Sequence, residues 1–418
     1  MAIALDKRAF VEADPDQVGM DARRIERVSR VFRELVDAGQ LPGFISLVAR
    51  HGKNVHFDCY GSADMEAGKP IEPDTIFRIY SMTKPIVSVA LMTLYEEGRF
   101  QLDDPASKHV PELKGMRLWA GGTADKYDTR EPTREMTVRD LLMHTSGLPG
   151  GGPGSPLEGV GELYRRNDVR VMRNDETLAE FVAKLGRMPL AYDPGSQWVY
   201  GISTDLVGYL CEVFSGQPLD RFLKERIFEP LDMPDTGFWT PAGQEHRLAA
   251  NYRSGNVGEP PLVLVDAPAS SAFARPKTYF SGVGGLVSTA HDYMRFGKML
   301  ANGGELEGHR VLGPRTLQLM AMNHLPGGCD IASLAKSGGP APKGDGFGLG
   351  FAVCISPVLT GRLGSPGEYY WSGAASTEFF VSPRDDLFAL FLTQVMNNQL
   401  ARDLRSLLRV TTYQALTD

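Results

Sequence analysis

The segment from Ser81 to about Gly98 constrains the fold most, because it predicts a helix that is apolar on nearly every face. Its apolar side chains are Ile86, Val87, Val89, Ala90, Leu91 and Leu94. A helix that is hydrophobic all round has to be covered on every side. The chain must therefore fold in several layers around this helix, and its 418 residues are enough to bury such a core.

Segments with strand character lie on both sides of this helix in the sequence. Near the N-terminus, residues 44–50 and 55–60 are rich in Val, Ile and aromatic side chains, and residues 51–54 between them are typical of a turn. The other predicted strands are 76–80, 347–355, 378–381 and 387–393. Strands joined by short turns pair in antiparallel fashion. We therefore expect one antiparallel sheet that is made by the N- and C-terminal segments.

Helical periodicity accounts for much of the remaining chain. Asp21 can cap a first helix, which Gly39 and Pro42 end. Further predicted helices are 138–144, 178–185, 204–214, 219–228 and 291–302, with an amphipathic tail at about 403–416. The pattern predicts an α/β fold (an α+β sandwich) whose antiparallel sheet is flanked by helices. We expect residues 1–100 and 280–418 to form the sandwich domain and residues 101–279 to form an inserted, mainly helical domain.

Composition limits the partners of the protein. Lys and Arg number 44 against 51 Asp and Glu, and the net charge of -7 is spread without basic blocks, so nucleic acid is not an expected partner. No stretch approaches the roughly 18 apolar residues of a membrane span, and the first residues do not resemble a signal peptide. The four cysteines and eight histidines show no metal-like spacing. The sequence predicts a cytoplasmic enzyme without metal or cofactor and without a membrane partner, and it leaves the oligomeric state open.

Ser81 begins the motif Ser81-Met82-Thr83-Lys84, which puts a hydroxyl and an amine at i and i+3 on one helical face. Serine is a poor nucleophile until a base takes its proton, and a lysine can act as that base where burial or neighbouring cations favour the neutral amine. The start of an apolar helix offers burial. Its free N–H groups and dipole also favour the negative charge that develops on oxygen.

The same spacing occurs a second time, at Ser333-Leu334-Ala335-Lys336. A Ser-x-x-Lys tetrapeptide is expected about once by chance in a chain of this length. The second copy lies in a Gly- and Pro-rich segment without a preceding strand or a following apolar helix, so we assign it no function. Context therefore decides between the two serines.

The surroundings of Ser81 resemble a known superfamily. The run from Phe77 to Pro85, FRIYSMTKP, resembles the active-site segment of serine β-lactamases and penicillin-binding proteins. Further landmarks in the expected order are LDDP at 102–105, MTVRDLLMHTSGLP at 136–149, FEPLDM at 228–233 and GGLVST at 284–289. The resemblance covers about residue 20 to the C-terminus and is closest to the class C β-lactamase-like carboxylesterases, called family VIII.

This resemblance implies a second activating group at Tyr200. Members of the superfamily use a tyrosine, which opens a Tyr-x-Asn motif in class C β-lactamases and a shorter motif in the esterases. Tyr200 lies just before a predicted helix, where a phenolate near Lys84 would take the Ser81 proton and return it to the leaving oxygen. A lone tyrosine is more often a core residue, and the matched context favours the catalytic role.

Two departures from the β-lactamase pattern favour neutral esters. The Lys-Thr-Gly motif is replaced by Trp371-Ser372-Gly373, as in many family VIII esterases, so a cation that would hold a substrate carboxylate gives way to an aromatic wall. Ile202 stands in place of the asparagine of Tyr-x-Asn. The resemblance also implies that the backbone N–H groups of Ser81 and Ala374 form the oxyanion hole.

Other serine-hydrolase arrangements fit less well. The chain contains no Gly-x-Ser-x-Gly motif, which excludes the α/β-hydrolase arrangement. His144, in His-Thr-Ser-Gly, is the histidine most suited to a Ser-His dyad, but its place at a helix end favours a structural hydrogen bond. The sequence thus predicts a carboxylesterase acting on a small-molecule ester through an acyl-serine intermediate. Hydrolysis of β-lactams or D-amino-acid peptides, acyl transfer to an alcohol, and a non-catalytic scaffold of this fold remain as alternatives.

Overall fold

A computed structural model describes residues 10–150, 159–172, 175–256, 259–335, 343–396 and 398–418. The helices are α1 Ala22–Asp37, α2 Thr83–Glu96, α3 Val138–Met143, α4 Val160–Arg166, α5 Leu178–Leu185, α6 Ser203–Ser215, α7 Leu219–Leu223, α8 Ala290–Ala301, α9 Pro314–Met320, α10 Ile331–Leu334, α11 Pro357–Thr360 and α12 Asn398–Tyr413. The strands are β1 Gly43–Arg50, β2 Lys53–Asp64, β3 Lys69–Pro70, β4 Phe77–Arg78, β5 Leu118–Gly122, β6 Tyr127–Arg130, β7 Asn251–Asn256, β8 Glu259–Asp266, β9 Val287–Ser288, β10 Glu305–Leu306, β11 His309–Arg310, β12 Asp345–Phe347, β13 Ala352–Cys354, β14 Tyr369–Ser372, β15 Glu378–Ser382 and β16 Leu387–Leu392.

One eight-stranded sheet joins the two ends of the chain. Its strand order is β12-β13-β14-β15-β16-β1-β2-β3, and every neighbouring pair is antiparallel. The junction between the C-terminal and N-terminal strands is the pairing of β16 with β1, in which Ile45 faces Leu392 and Arg50 faces Leu387. The predicted fold class, an antiparallel sheet made by both termini and flanked by helices, is confirmed.

Helices cover both faces of this sheet. Phe391 on β16 contacts Phe32 of α1, with ring centroids 4.3 Å apart. Phe388, three residues earlier and therefore on the opposite face, packs against Gly297 of α8, where an added Cβ would lie 2.1 Å from the phenylalanine ring. Because both faces are covered, all eight residues of β1 are buried, which explains why that strand is apolar without alternation.

The apolar helix α2 is buried, as its sequence predicts. Every residue from Thr83 to Leu94 is buried. On one side the Tyr293 hydroxyl of α8 donates a hydrogen bond of 3.1 Å to the Met82 carbonyl oxygen, and on the other side α2 packs against α6. The start of α2 is thereby held between the sheet layer and the helices of the middle segment.

Three parts of the strand prediction need correction. Residues 347–355 do not form one strand, because the chain turns between β12 and β13, where Gly350 has φ +96° and an added Cβ would lie 2.4 Å from Ser88. Strand β14 was not predicted, since it is only four residues long and follows a glycine-rich loop. Residues 76–80 contribute only the two-residue strand β4, which pairs with β9.

The middle segment contains the predicted helices α3, α5, α6 and α7, the last of which continues as a π-helical turn over Lys224–Phe228. It also contains two hairpins, β5–β6 and β7–β8, that the sequence analysis did not identify. The boundaries of the proposed domains, 1–100 with 280–418 and 101–279, stay a prediction. None of the four cysteines forms a disulfide bond, and Cys59, Cys211 and Cys354 are buried. In the part of the chain that the structure describes, no helix is both long and apolar enough to cross a membrane.

Candidate active site

Ser81 lies in a tight turn that feeds α2. The turn is a 3-10 helix over Tyr80–Met82, and the α-helix begins at Thr83, two residues later than the sequence predicts. Tyr80 has φ +43°, a backbone conformation that is costly for a bulky residue and tends to occur at functional sites. Leu286 holds the turn from the side: its carbonyl accepts from the Ile79 N–H at 3.2 Å.

Lys84 contacts the serine directly. Its Nζ atom lies 3.3 Å from the Ser81 Oγ atom and donates a hydrogen bond of 2.7 Å to the Val283 carbonyl oxygen. Side chains at i and i+3 eclipse in a 3-10 turn, which brings the two together. Only 1% of Lys84 is exposed. The amine is therefore buried with a hydroxyl and a carbonyl as its hydrogen-bond partners.

Tyr200 lies over the lysine, just before α6. The Lys84 Nζ atom is 4.4 Å from the centroid of its ring, and 37% of the tyrosine is exposed. Its hydroxyl makes no hydrogen bond with any residue that the structure describes. The ring thus covers the amine, and the partly exposed side chain leaves the hydroxyl available to a substrate.

The His-Thr-Ser-Gly motif at the end of α3 holds the Tyr200 loop. The His144 carbonyl accepts from the Val199 N–H at 2.8 Å, and the Ser146 and Ser203 hydroxyls are 2.9 Å apart. These two contacts bracket Tyr200 in the sequence. The motif therefore acts on the site chiefly through its backbone and Ser146.

The expectation that the His144 side chain makes a structural hydrogen bond is not met. Its Nδ1 atom is buried without a partner among the described residues, and its ring packs edge-on against Tyr200, with centroids 5.0 Å apart. Burial, with a smaller contribution from the Lys84 charge, lowers the pKa of His144 well below its ordinary value. The imidazole is therefore neutral at physiological pH.

Five rings from four segments form an aromatic cluster beside Lys84: His144, Trp198, Tyr200, Phe347 and Trp371. Centroid distances are 5.9 Å between Trp198 and Tyr200, 5.4 Å between Tyr200 and Trp371, and 5.3 Å between Phe347 and Trp371. Trp198 and Trp371 are partly exposed. The sequence analysis identified Trp371 as a wall but missed Trp198 and Phe347, which only tertiary structure brings together.

The end of β14 brings the Trp-Ser-Gly segment beside the Ser81 turn. Gly373 fits tightly, since an added Cβ would lie 2.2 Å from the Thr377 Oγ1 atom and 2.5 Å from the Ile79 carbonyl oxygen. Ser372 is partly exposed at the strand end. Ala374, the next residue after Gly373, is exposed, and its N–H donates to no backbone oxygen among the described residues. Ile202, by contrast, is buried in the core.

Asp205 is a fully buried acid behind the site that the sequence analysis did not single out. Its Oδ2 atom accepts from the Tyr279 hydroxyl at 2.6 Å, and its Oδ1 atom accepts from the Ser281 hydroxyl at 2.9 Å and the Val283 N–H at 3.0 Å. Burial raises the pKa of Asp205, while the hydrogen bonds and the Lys84 charge oppose this shift. A charged residue on the buried face of α6, next to Leu206, was the available signal.

The second Ser-x-x-Lys motif has a different environment. Ser333 is exposed on the short helix α10, and its hydroxyl donates to Asp330 at 2.5 Å. Lys336 lies outside the described residues. No group of three or more His, Cys, Asp or Glu side chains within the described ranges is placed to hold a metal ion.

Comparison with known proteins identifies the family of the chain. A family model described as Beta-lactamase matches residues 28–412. Esterase EstB of Burkholderia gladioli is 31% identical over 420 residues, which cover 96% of this chain and 98% of that protein. Uncharacterized protein MT1414 of Mycobacterium tuberculosis (strain CDC 1551 / Oshkosh) is 33% identical over 372 residues, 87% of this chain and 88% of that protein.

A solved structure extends the comparison to three dimensions. The structure titled "EstCE1, a hydrolase with promiscuous acyltransferase activity" superposes with a TM-score of 0.78 at 25% identity, covering 94% of this chain and 99% of that chain. The resemblance to the class C β-lactamase-like superfamily is thus confirmed. Because the family match spans most of the sequence and the fold agrees, the chain belongs to the beta-lactamase family of serine hydrolases.

Proposed function

We propose that this protein is a carboxylesterase of the family VIII type, which hydrolyses short- to medium-chain esters through an acyl group on Ser81. The observation that carries the proposal is the contact of 3.3 Å between the Lys84 Nζ and Ser81 Oγ atoms, inside a site from which the amine cannot reach bulk water. A hydroxyl next to a buried amine is the arrangement of an activated serine nucleophile.

The first step forms the acyl-enzyme. The Ser81 O–H bond breaks as its oxygen bonds to the ester carbonyl carbon, and the proton goes to the Lys84 nitrogen. The carbonyl oxygen becomes an oxyanion, for which the N–H groups of Ser81 and Ala374 are the proposed donors. When the carbon–oxygen bond to the alcohol breaks, the leaving oxygen takes up a proton that reaches it from Lys84 through the Tyr200 hydroxyl.

The second step releases the acid. Water gives a proton to the Lys84–Tyr200 pair as its oxygen attacks the acyl carbon, and the bond to Ser81 breaks with return of the proton to the serine oxygen. Tyr200 suits both steps because its ring contacts the amine while its hydroxyl has no hydrogen-bond partner among the described residues. No cofactor is needed for this chemistry.

Neutral esters are the proposed substrates rather than β-lactams or peptides. Trp371 presents a partly exposed aromatic surface in the position where the β-lactamase motif has a lysine, and Trp198 extends that surface. Such walls bind apolar groups and offer no charge to a substrate carboxylate. Ile202 is buried and presents no amide to a substrate. The similarity to Esterase EstB supports the same choice.

The test is a substrate panel on wild type and Ser81→Ala, with Ser333→Ala as the matched control. The panel contains p-nitrophenyl esters of increasing chain length, nitrocefin and a D-alanyl peptide. We expect short- and medium-chain esters to be the best substrates, Ser81→Ala to be inactive and Ser333→Ala to equal wild type. Faster turnover of nitrocefin or the peptide would favour the alternative substrates, and unchanged ester turnover in Ser81→Ala would favour a non-catalytic scaffold.

Acyl transfer to an alcohol is a second candidate, because the similar structure EstCE1 is described as having promiscuous acyltransferase activity. An alcohol that binds on the aromatic walls would compete with water for the acyl-enzyme. Product analysis in the presence of a short alcohol separates the two outcomes, since transfer yields a new ester. We also propose a cytoplasmic location, which the absence of a disulfide bond among the four cysteines supports.

A further inference from the structure

We propose that Asp205 is a positioning residue for Lys84: its buried carboxylate fixes the carbonyl group that orients the lysine and stabilises the ammonium that forms when Lys84 takes the Ser81 proton. This inference rests on the proposed function and adds a fourth residue to the proposed site. Nothing in the Ser-x-x-Lys or tyrosine motifs indicates it, because its partners come from a segment about 75 residues further along the chain.

The first argument is geometric. The Asp205 carboxylate accepts a hydrogen bond of 3.0 Å from the Val283 N–H. The carbonyl oxygen of Val283 in turn accepts a hydrogen bond of 2.7 Å from the Lys84 Nζ atom. The Asp205 carboxylate also accepts hydrogen bonds from the hydroxyls of Ser281 and Tyr279, which lie two and four residues before Val283. One side chain on α6 therefore sets the position of the acceptor that points Lys84 at Ser81.

The close packing of this segment leaves the acceptor little freedom. Gly282 passes so near α6 that an added Cβ would lie 2.4 Å from the Thr204 carbonyl oxygen. Thr204 directly precedes Asp205 in the sequence. The carboxylate and the backbone contact thus fix the same short stretch, from Ser281 to Val283, against the start of α6.

The second argument is electrostatic. Asp205 is fully buried, and its charge interacts with that of Lys84. When the Ser81 proton moves to Lys84, a positive charge appears in a site without bulk water, where a nearby carboxylate stabilises it. Asp205 gains and loses no proton in this step. Its role matches the logic of the acid in a Ser-His-Asp triad, which orients the base and stabilises its cation.

The third argument concerns stability. Burial raises the pKa of Asp205 above its value in the unfolded chain. For an acid with a raised pKa, the folded state holds the proton more tightly, so the contribution to stability is present at low pH and is lost as pH rises past the unfolded value. Burial therefore disfavours the ionised form of this carboxyl group in the folded protein. A perturbed acid next to a buried amine is typical of a functional site.

Among the described residues, the titratable groups that face the Asp205–Lys84 pair are Tyr200 before α6, His144 at the end of α3, Tyr279, and Glu176 behind Tyr279. Burial lowers the pKa of His144 and raises that of Tyr279, each well away from neutrality, so both stay uncharged at physiological pH. A change in the pH profile of an Asp205 variant can then be attributed to the site itself.

The test is Asp205→Asn, which keeps the shape and removes the charge. The amide oxygen can still accept from Ser281 and Val283, and the amide nitrogen can donate to the Tyr279 hydroxyl. We expect kcat for the best ester to fall about ten- to a hundredfold with little change in KM. The acidic limb of the kcat/KM profile should move to lower pH by about one unit, because the ammonium of Lys84 loses a stabilising charge. The melting temperature should stay equal or rise.

Asp292→Asn is the matched control. Asp292 is also fully buried and accepts from the Asp235 N–H and the Thr236 hydroxyl, both at 2.8 Å, but it lies outside the site. Its variant should keep the pH profile and the kcat of wild type for the folded protein. If Asp205 had only a structural role, Asp205→Asn would behave like this control: its melting temperature would fall and its pH profile of kcat/KM would not change.

The outcomes separate this inference from the proposed function. If Ser81→Ala is inactive while Asp205→Asn keeps the wild-type kcat and pH profile, the role of Asp205 is wrong and the esterase proposal stands. If Ser81→Ala keeps its activity, the proposed function itself is wrong. Should Asp205→Asn fail to fold, Tyr279→Phe removes one bond to the carboxylate, and it should lower kcat several-fold at unchanged KM; an unchanged kcat would overturn the inference.

Discussion

Two basic side chains are buried in this protein to the same degree, and their surroundings differ. Arg409 on α12 and Lys84 on α2 are each 1% exposed. Arg409 forms ion pairs with Glu368 and Glu378. The direct hydrogen-bond partners of Lys84 are the neutral Ser81 hydroxyl and Val283 carbonyl. The charge of Arg409 is compensated by the two glutamates, whereas Lys84 has no carboxylate in contact with its nitrogen among the described residues.

The difference teaches which buried charge can take part in chemistry. The guanidinium of Arg409 stacks on the Tyr370 and Phe380 rings, at 4.7 and 4.8 Å. Burial alone would lower its pKa, but Glu368 and Glu378 raise it well above its ordinary value. An arginine in that setting is a permanent charge that ties α12 to the sheet. A lysine with neutral partners can instead give up and accept a proton.

The largest effect is expected from the replacement of Lys84. Lys84→Met should lower kcat/KM for the best ester by about ten-thousandfold, because it removes the amine that contacts the Ser81 hydroxyl and is proposed to take its proton. The free energy of unfolding should stay equal or increase, since the variant replaces a buried amine by an apolar group of similar length. Steady-state kinetics and urea unfolding measure the two effects. A variant that is less stable but still active would contradict the assignment.

Arg409→Met removes the other buried basic side chain of the comparison. It leaves the buried Glu368 without its cation and Glu378 with only Arg405, at 3.5 Å, which should lower the free energy of unfolding by about 3–5 kcal/mol. The kcat of the folded fraction should change by less than about threefold, because the hydrogen bonds, ion pairs and ring contacts described for Arg409 involve none of the proposed site residues. Adding Glu368→Gln and Glu378→Gln should recover part of the loss in urea unfolding. Unchanged stability of Arg409→Met would show that the network is not structural.

Tyr200→Phe sharpens the comparison by removing a hydroxyl while the ring over Lys84 remains. We expect kcat to fall about a hundredfold, the size of a general acid–base contribution. Stability should change by less than about 0.5 kcal/mol, since the hydroxyl has no hydrogen-bond partner among the described residues. Wild-type kcat in this variant would remove Tyr200 from the proton path.

Trp371→Lys has the smallest expected effect and tests specificity. It places a cation at the end of β14, where β-lactamases carry one, and removes a wall of the aromatic cluster. The ratio of nitrocefin to butyrate-ester turnover should rise about tenfold, a change of about 1.4 kcal/mol in relative transition-state stabilisation. The variant Trp371→Phe keeps an aromatic wall and should leave the ratio close to that of wild type. An equal rise in both variants would rule out an effect of charge.

Much of the fold could be predicted because its main elements carry strong patterns. The burial of α2 and the apolar β1 strand follow from their composition, and the antiparallel sheet follows from the strands at both ends. Strand β14 escaped prediction because four residues give too short a pattern. The single strand predicted at 347–355 failed at Gly350, whose positive φ turns the chain. Local backbone conformations of this kind depend on packing that a single sequence does not display.

The candidate site was predictable where its residues are close in sequence and less so elsewhere. Ser81 and Lys84 belong to one turn, and the resemblance to a known family added Tyr200 and Trp371. Asp205 was missed because its hydrogen bond from the Val283 N–H forms only in the folded protein, where Val283 lies against α6. The rings of Trp198 and Phe347 meet those of Trp371 only in three dimensions.

The most direct test of the central claim is the labelling of the protein with a p-nitrophenyl phosphonate, followed by intact-mass analysis and peptide mapping. A phosphonate reacts with an activated serine and stays bound to it. We predict one adduct per chain, located on Ser81, and a labelling rate that falls at least about a hundredfold in Lys84→Met but not in Arg409→Met. An adduct on Ser333, no adduct, or equal labelling rates in wild type and Lys84→Met would contradict the account.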